Sequence, residues 1–200
     1  MSNQLTPNYW NERYLHQNTP WDIGSVSPAL KNYLDQVTNP MLPILIPGAG
    51  NAYEAIYAHR QGFQNVFVCD WAPAAFEHLK RQAPDFPIHH LLVEDFFRLE
   101  MEVDVILEQT FFCAIDPTLR KAYVKKAFEL LAPDGKLTGL LFAQHFEHDG
   151  PPFGGSQEEY MQLFSPYFHI LYMDININSI EPRKGRELFF ECQKNAFIAP

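Results

Sequence analysis

Short apolar runs alternate with amphipathic stretches over most of this chain. Ile44-Leu45-Ile46 is a buried strand that turns sharply at Gly48 and Gly50 and continues as a helix with Ile56 and Tyr57 on one side. Gly62 ends that helix, and residues 65–70 are a second buried strand, closed by Asp70. A helix is predicted over 73–82, stopped by Pro84 and Pro87, then a third strand over 88–93 and a fourth over 103–108. Asp116 caps and Pro117 opens a long helix to Leu131, with Leu119, Ala122, Tyr123, Ala127, Leu130 and Leu131 as its apolar stripe. Ala132-Pro133-Asp134-Gly135 is a turn before a fifth strand over 136–143. The alternation then breaks. After a loop over 150–155 and a short helix over 156–164, the runs 168–177 and 187–193 have no helix between them and pair antiparallel. Ahead of the first strand, helices are predicted over 8–17 and over 28–36, the latter with Ser27 as cap and Pro28 at its first position. The pattern is α/β: a mostly parallel sheet of seven strands with helices on both faces and a C-terminal antiparallel pair. It reads as a single domain over 1–200, a leading segment 1–40 and a core 41–200.

The turn is where chemistry concentrates. Glycines at 48 and 50 keep side chains from holding a ligand off the backbone, and the helix beyond offers free N–H groups and a positive dipole end. An acid closing the second strand, about 20 positions on, is where α/β folds grip ribose hydroxyls. Asp70 takes that role or simply caps the helix that starts near Pro73; Trp71 beside it can lie on an adenine face. Asp95, after the third strand, can accept from an adenine amino group or decorate a loop. Trp10, Tyr14 and Trp21 either seal one end of the sheet or form a lid over the glycine turn.

A net charge of −9 argues against a broad nucleic-acid surface. No apolar run approaches the roughly 18 residues of a membrane span. The polar start lacks a signal peptide's apolar stretch, so a cytoplasmic protein is expected, as a monomer. Cys69, Cys113 and Cys192 are scattered and support neither a zinc site nor disulfides; Cys69 and Cys192 read as core. Cys113 has no histidine placed to activate it as a nucleophile. His145 and His148 on an irregular loop are poor preset ligands, so no metal is expected and substrate contact suits that loop better. Phe111, Phe112 and Phe153 wall a dry pocket or are plain core. Arg183, Lys184 and Arg186 are cations at a pocket rim or a solvated hairpin loop.

One resemblance covers nearly the whole chain. Trp10, Tyr14 and Thr19-Pro20-Trp21-Asp22 come first, then Ile46-Pro47-Gly48-Ala49-Gly50 and Asp70. Glu94-Asp95-Phe96, Phe111-Phe112-Cys113-Ala114-Ile115, Leu131-Ala132-Pro133-Asp134-Gly135, Gly150-Pro151-Pro152-Phe153 and Arg183-Lys184-Gly185 follow in order. Together they resemble the class I S-adenosylmethionine-dependent methyltransferases, and within them the thiopurine S-methyltransferase family, in particular its halide and thiol methyltransferase branch. The resemblance implies S-adenosylmethionine as cofactor and direct in-line methyl transfer to a small thiol, selenium or halide acceptor. It gives Trp10, Tyr14 and Trp21 contact with the cofactor, Gly48 its methionine portion, Asp70 its ribose and Asp95 its adenine. Pro47, Gly50, Trp71, Glu94, Phe96, Glu108 and Gln109 complete the implied cofactor site; Phe112, Phe153, Arg183 and Arg186 are the substrate-side candidates, with no catalytic residue assigned. Gln109 stands where the halide branch has a tyrosine, and Tyr14 where a tryptophan is common. Two other classes are a nicotinamide-dependent oxidoreductase and a cofactor-binding module without turnover. Against the former, no Tyr is followed four residues later by Lys, and Tyr53 stands where a third glycine would be.

Overall fold

The computed structural model describes residues 5–48 and 50–196; Ala49, in the turn motif, lies outside them. Seven strands form one sheet in the order β3-β2-β1-β4-β5-β7-β6. They are β1 (Ile44–Pro47), β2 (Val66–Asp70), β3 (Leu91–Val93), β4 (Val103–Gln109), β5 (Leu131–Phe142), β6 (Phe168–Ile175) and β7 (Glu187–Lys194). The first five are parallel, and β7 pairs antiparallel with both β5 and β6. The helices are α1 (Pro7–Leu15), α2 (Pro28–Gln36), α3 (Tyr53–Arg60), α4 (Glu77–Gln82), α5 (Arg120–Leu130) and α6 (Gln157–Phe164). No helix among the described residues is long and apolar enough to cross a membrane.

Strand alternation divides the core between the two faces. Ile44, Ile46, Val66, Val68, Val105 and Leu107 pack against α2, α3 and α4, where Leu30, Leu34, Ala55 and Leu79 are buried. Leu45, Ile106, Leu137 and Phe190 face Tyr123, Val124, Tyr160 and Phe164 of α5 and α6. Both faces of the central strands are covered, which is why these strands read as continuous apolar runs.

Four elements differ from the pattern. Only Leu91–Val93 of the third run is strand; Ile88–His90 is a 3-10 turn after Pro87. The helix after Asp116 begins as a 3-10 turn, Pro117–Leu119, whose side chains project out of phase with the α-helix; Leu119 and Ala122 are exposed, while Tyr123, Ala127, Leu130 and Leu131 are buried. The turn at 132–135 bulges within β5: Val103 pairs with Leu131 and Val105 with Lys136. Ser27 occupies the cap of α2, but its side chain makes no capping bond; its N–H donates instead to Glu54 Oε1 at 2.9 Å. Ser156 and Glu159, by contrast, form a reciprocal capping box on α6, a device stabilising by about 1 kcal/mol.

Candidate active site

The sheet order reverses between β1 and β4, and in such sheets ligands lie beyond the strands' carboxyl ends at this point. Gly48, Gly50 and Ala52 follow β1 at φ 67°, 53° and 54°, alternate residues in the left-handed region. Opposite them, after β4, Thr110 has φ 62°. Non-glycine residues held so cost of order 1 kcal/mol each, and such strain gathers at functional sites. Gly48 is needed for a reason other than ligand clearance: an added Cβ would stand 2.7 Å from Phe111 Cδ2. At Gly50 the space is open, its nearest neighbour the Gly48 carbonyl at 4.0 Å. Pro47 is buried at the end of β1.

Asp70 is 8 % exposed, and its Oδ1 accepts from Ala72 N–H at 2.8 Å, a local turn two residues on; the 3-10 turn over Pro73–Phe76 has Ala72 at its cap and no side-chain capping bond. The same carboxylate charge also acts on Tyr14, whose phenol is pushed up by burial first and by Asp70 second, and which is hydrogen-bonded to the Gly50 backbone. Tyr14, Gly50 and Asp70 therefore share one locality. Trp21 packs edge-on against Trp10 (5.4 Å between centroids) and Tyr14 (5.9 Å). The leading aromatics thus cover the glycine turn, although Tyr14 also packs on the core. Trp71, partly exposed, follows Asp70; Glu94 is exposed and accepts from Asp95 N–H. Asp95 caps the turn at 96–98 through Phe97 N–H at 3.0 Å.

Two implied cofactor residues face elsewhere. Phe96 is 3 % exposed and stacked on Tyr123 at 5.3 Å, so it is core. Glu108 is wholly buried: Oε1 accepts from Phe111 and Phe112 N–H, each at 2.8 Å, and Oε2 from Tyr123 Oη at 2.7 Å. Burial pushes its carboxyl up to about 7 against these three donors. Gln109 does border the cleft, and its Oε1 is buried without a protein partner, which suits a ligand carrying its own donor.

On the acceptor side the corrections concern Phe112 and Arg186. Phe112 is 1 % exposed among Tyr123, Tyr160 and Phe164, hence core. Arg186 and Lys184 are exposed, as a solvated loop would have them. Arg183 is not: its side chain is 12 % exposed, Nη1 meets Glu187 Oε1 at 3.1 Å, and Nη2 donates to the Trp21 carbonyl at 2.8 Å. Phe153 joins the Phe111–Cys113 loop, its N–H donating to the Cys113 carbonyl at 2.7 Å. Cys113 is buried, and its thiol is pushed up to about 12, chiefly by desolvation. His145 and His148 are exposed, and no group of three or more His, Cys, Asp or Glu among the described residues is placed to hold a metal.

Several residues around the cleft and the Phe111–Cys113 loop were given no role from the sequence. Asp22 Oδ2 accepts from Asn51 Nδ2 at 2.5 Å, fastening the leading segment to the glycine turn. Glu54, buried and pushed up by desolvation, holds Ser27 N–H beneath that segment. Arg120 Nη2 donates to the carbonyls of Phe153 and Gly154, both at 3.0 Å. Trp21 and Asp22 form one side of a cleft, open to solvent, whose other sides include Gly48, Gly50, Asn51 and Gln109.

This arrangement matches known proteins along almost its full length. The family model described as Thiopurine S-methyltransferase (TPMT) matches residues 5–192. The chain belongs to the thiopurine S-methyltransferase family. Among its relatives, "Probable thiol methyltransferase 2" of Arabidopsis thaliana is 29 % identical over 193 residues, covering 94 % of this chain and 85 % of that protein. "Thiocyanate methyltransferase 1" of Brassica oleracea is 30 % identical over 184 residues, covering 89 % and 81 %. The fold is shared with the Burkholderia thailandensis 1,6-didemethyltoxoflavin-N1-methyltransferase, solved with bound 1,6-didemethyltoxoflavin and S-adenosylhomocysteine. The TM-score is 0.75 at 18 % identity, with 96 % of this chain and 88 % of that one covered. This family member is an S-adenosylmethionine-dependent methyltransferase with a Rossmann-like fold, which sets aside the nicotinamide alternative.

Proposed function

We propose that this enzyme methylates a small, soft sulfur, selenium or halide nucleophile (a thiolate, hydrosulfide, thiocyanate or iodide) by direct in-line displacement. The observation that carries this is the pair of guanidinium groups beside the Phe111–Cys113 loop. Arg183 and Arg120 both act electrostatically on Cys113, against the Glu108 carboxylate behind it, and Phe111 and Phe153 are half-buried beside that loop. Aromatic rings with guanidinium groups nearby suit a weakly hydrated anion. The names of the thiol and thiocyanate methyltransferase relatives point the same way.

S-adenosylmethionine supplies a methyl group on a sulfonium, already activated for displacement, so the protein's part is alignment and exclusion of water. Asp70 takes the ribose hydroxyls, Trp71 and Asp95 the adenine, and Gly48 and Gly50 make room for the methionine portion. Gln109 Oε1, left without a protein partner, accepts a hydrogen bond from that portion. Trp21 and Asp22 narrow the cleft beside Gly48 and Gly50, and the segment carrying them lifts for cofactor entry and closes afterwards. Neither Cys113 nor Glu108 acts as a base: the thiol donates to the Thr110 carbonyl, and the carboxylate oxygens are held by three donors. The whole chain 1–200 acts as one cytoplasmic, monomeric domain on a small-molecule acceptor, without nucleic acid or membrane.

The test is an acceptor panel read by mass spectrometry, containing thiocyanate, iodide, hydrosulfide, small thiols and a thiopurine, each with S-adenosylmethionine. Methylation of one or more of the small soft nucleophiles is expected. Methylation confined to oxygen or nitrogen acceptors added to the panel would overturn the reading.

A further inference from the structure

Glu108 is wholly buried as the penultimate residue of β4, one residue before the cleft, yet it faces away from it. Its three hydrogen bonds come from two elements: the Phe111–Phe112 backbone after β4, and Tyr123 on α5. Gly139 of β5 packs against its backbone so closely that an added Cβ there would stand 2.2 Å from the Glu108 carbonyl. This packing fixes the Glu108 backbone, and the three donors fix its carboxylate.

What it holds is connected to the acceptor wall by a chain of contacts. The ring of Phe112 lies under the Arg120 guanidinium, 4.8 Å from its centroid. Arg120 in turn holds the Phe153 and Gly154 carbonyls, and Phe153 N–H returns to Cys113. Removing the acceptor at 108 would leave a buried N–H, a part-buried N–H and a buried phenol without their partner at the turn from which this wall hangs.

We propose that Glu108 is a positioning residue for the methyl acceptor: its carboxylate fixes the Phe111–Phe112 turn and, through Phe112 and Arg120, the Phe153–Gly154 wall, so acceptor binding depends on it more than cofactor binding does. This rests on the acceptor site proposed above. Ionised, the carboxylate accepts from all three donors, and bonds to an ionised acceptor are about twice as strong as neutral ones. Protonated, Oε2 donates to Tyr123 and the turn is held only by neutral bonds. The titratable groups facing it are Tyr123 on α5 and Cys113 on the loop, with Cys192 of β7 acting on Tyr123; Arg120 and Arg183 act on Cys113.

Glu108→Gln copies the protonated form in nearly the same shape. Its KM for thiocyanate, which does not titrate between pH 5.5 and 9, should rise at least about fivefold at pH 8. The dissociation constant for S-adenosylhomocysteine should change by less than about twofold. The wild-type KM for thiocyanate should climb towards the variant's as pH falls through 7, while the variant's stays flat. Glu108→Asp, which keeps the charge, should recover part of the loss. Hydrogen exchange reads the same claim without turnover: the Phe111 and Phe112 amides should exchange faster in Glu108→Gln at pH 8. Wild-type amide protection with an unchanged KM would overturn the proposal. So would equal loss of cofactor and acceptor binding, which would make the residue merely structural. If the wild type methylates no soft nucleophile, the acceptor reading fails, and amide exchange still decides whether Glu108 fixes the turn.

Discussion

Gly48→Ala separates the steric demand of the turn from its conformational one. At φ 67° an alanine costs about 1–2 kcal/mol over glycine. Its methyl would also lie 2.7 and 2.8 Å from Cδ2 and Cβ of Phe111. That ring cannot step aside freely, because it packs against Phe96 at 5.3 Å and Tyr123 at 6.0 Å. Overpacking of this kind adds about 1–3 kcal/mol, giving roughly 2–5 kcal/mol in all. Gly50→Ala at φ 53° meets nothing nearer than 4.0 Å and carries only the conformational part, about 1–2 kcal/mol. Urea denaturation of both variants, with calorimetric titration of S-adenosylhomocysteine, reads the difference. Where the strain is relieved by moving the turn, Gly48→Ala shows it as a loss of affinity exceeding tenfold, about 1.4 kcal/mol or more. Equal stability and equal affinity for the two variants would refute the claim that Phe111 underlies the turn.

Three further outcomes are expected. Asp70→Ala should weaken S-adenosylhomocysteine binding by about 1–3 kcal/mol in the same titration, the scale of a lost hydrogen bond to a charged group. Arg183→Ala leaves the Glu187 carboxylate, 4 % exposed, without its ion-pair partner. It should lower stability by roughly 3–5 kcal/mol in urea, and Arg183→Met combined with Glu187→Gln should recover much of this. Because burial raises the Glu108 carboxyl from 4.5 to about 7, the folded form binds its proton more tightly than the unfolded chain. The resulting stabilisation is complete below 4.5 and is lost as pH rises through 7. The unfolding free energy of wild type from urea titrations should therefore fall relative to Glu108→Gln between pH 5 and 8, by roughly 2–3 kcal/mol, where parallel curves would contradict the assignment.

The central strands were legible because burial on both faces writes them as unbroken apolar runs, as in β1 and β4. The end of the fold was legible too, since no helix fits between the runs that became β6 and β7. Where local geometry changes within an element the pattern misled. The 3-10 opening at Pro117–Leu119 rotates Leu119 off the stripe, and Pro87 turns Ile88–His90 out of the edge strand. In the site, Gly48, Gly50 and Asp70 were readable as residue types. The left-handed Ala52 and Thr110 were not, because neither side chain announces that conformation. Phe96 and Phe112 show why aromatics cannot be sorted from sequence: the same residue type serves core and cleft, and only the neighbours decide. The contacts of Glu108 and Arg183 were not legible for a related reason. Their roles lie in partners: backbone N–H groups three and four residues away for the first, and the Trp21 carbonyl, 162 positions distant, for the second.

The central claim is that the cleft beside the Gly48–Gly50 turn receives S-adenosylmethionine, its ribose reaching Asp70, once the Trp21 segment lifts. A crystal structure of the complex with S-adenosylhomocysteine tests it most directly. The ribose hydroxyls should lie within hydrogen-bonding distance of the Asp70 carboxylate, with the Asp22–Asn51 contact broken or re-formed over the bound nucleoside. A nucleoside bound elsewhere, with Trp21 and Asp22 still packed on the turn, would contradict the account.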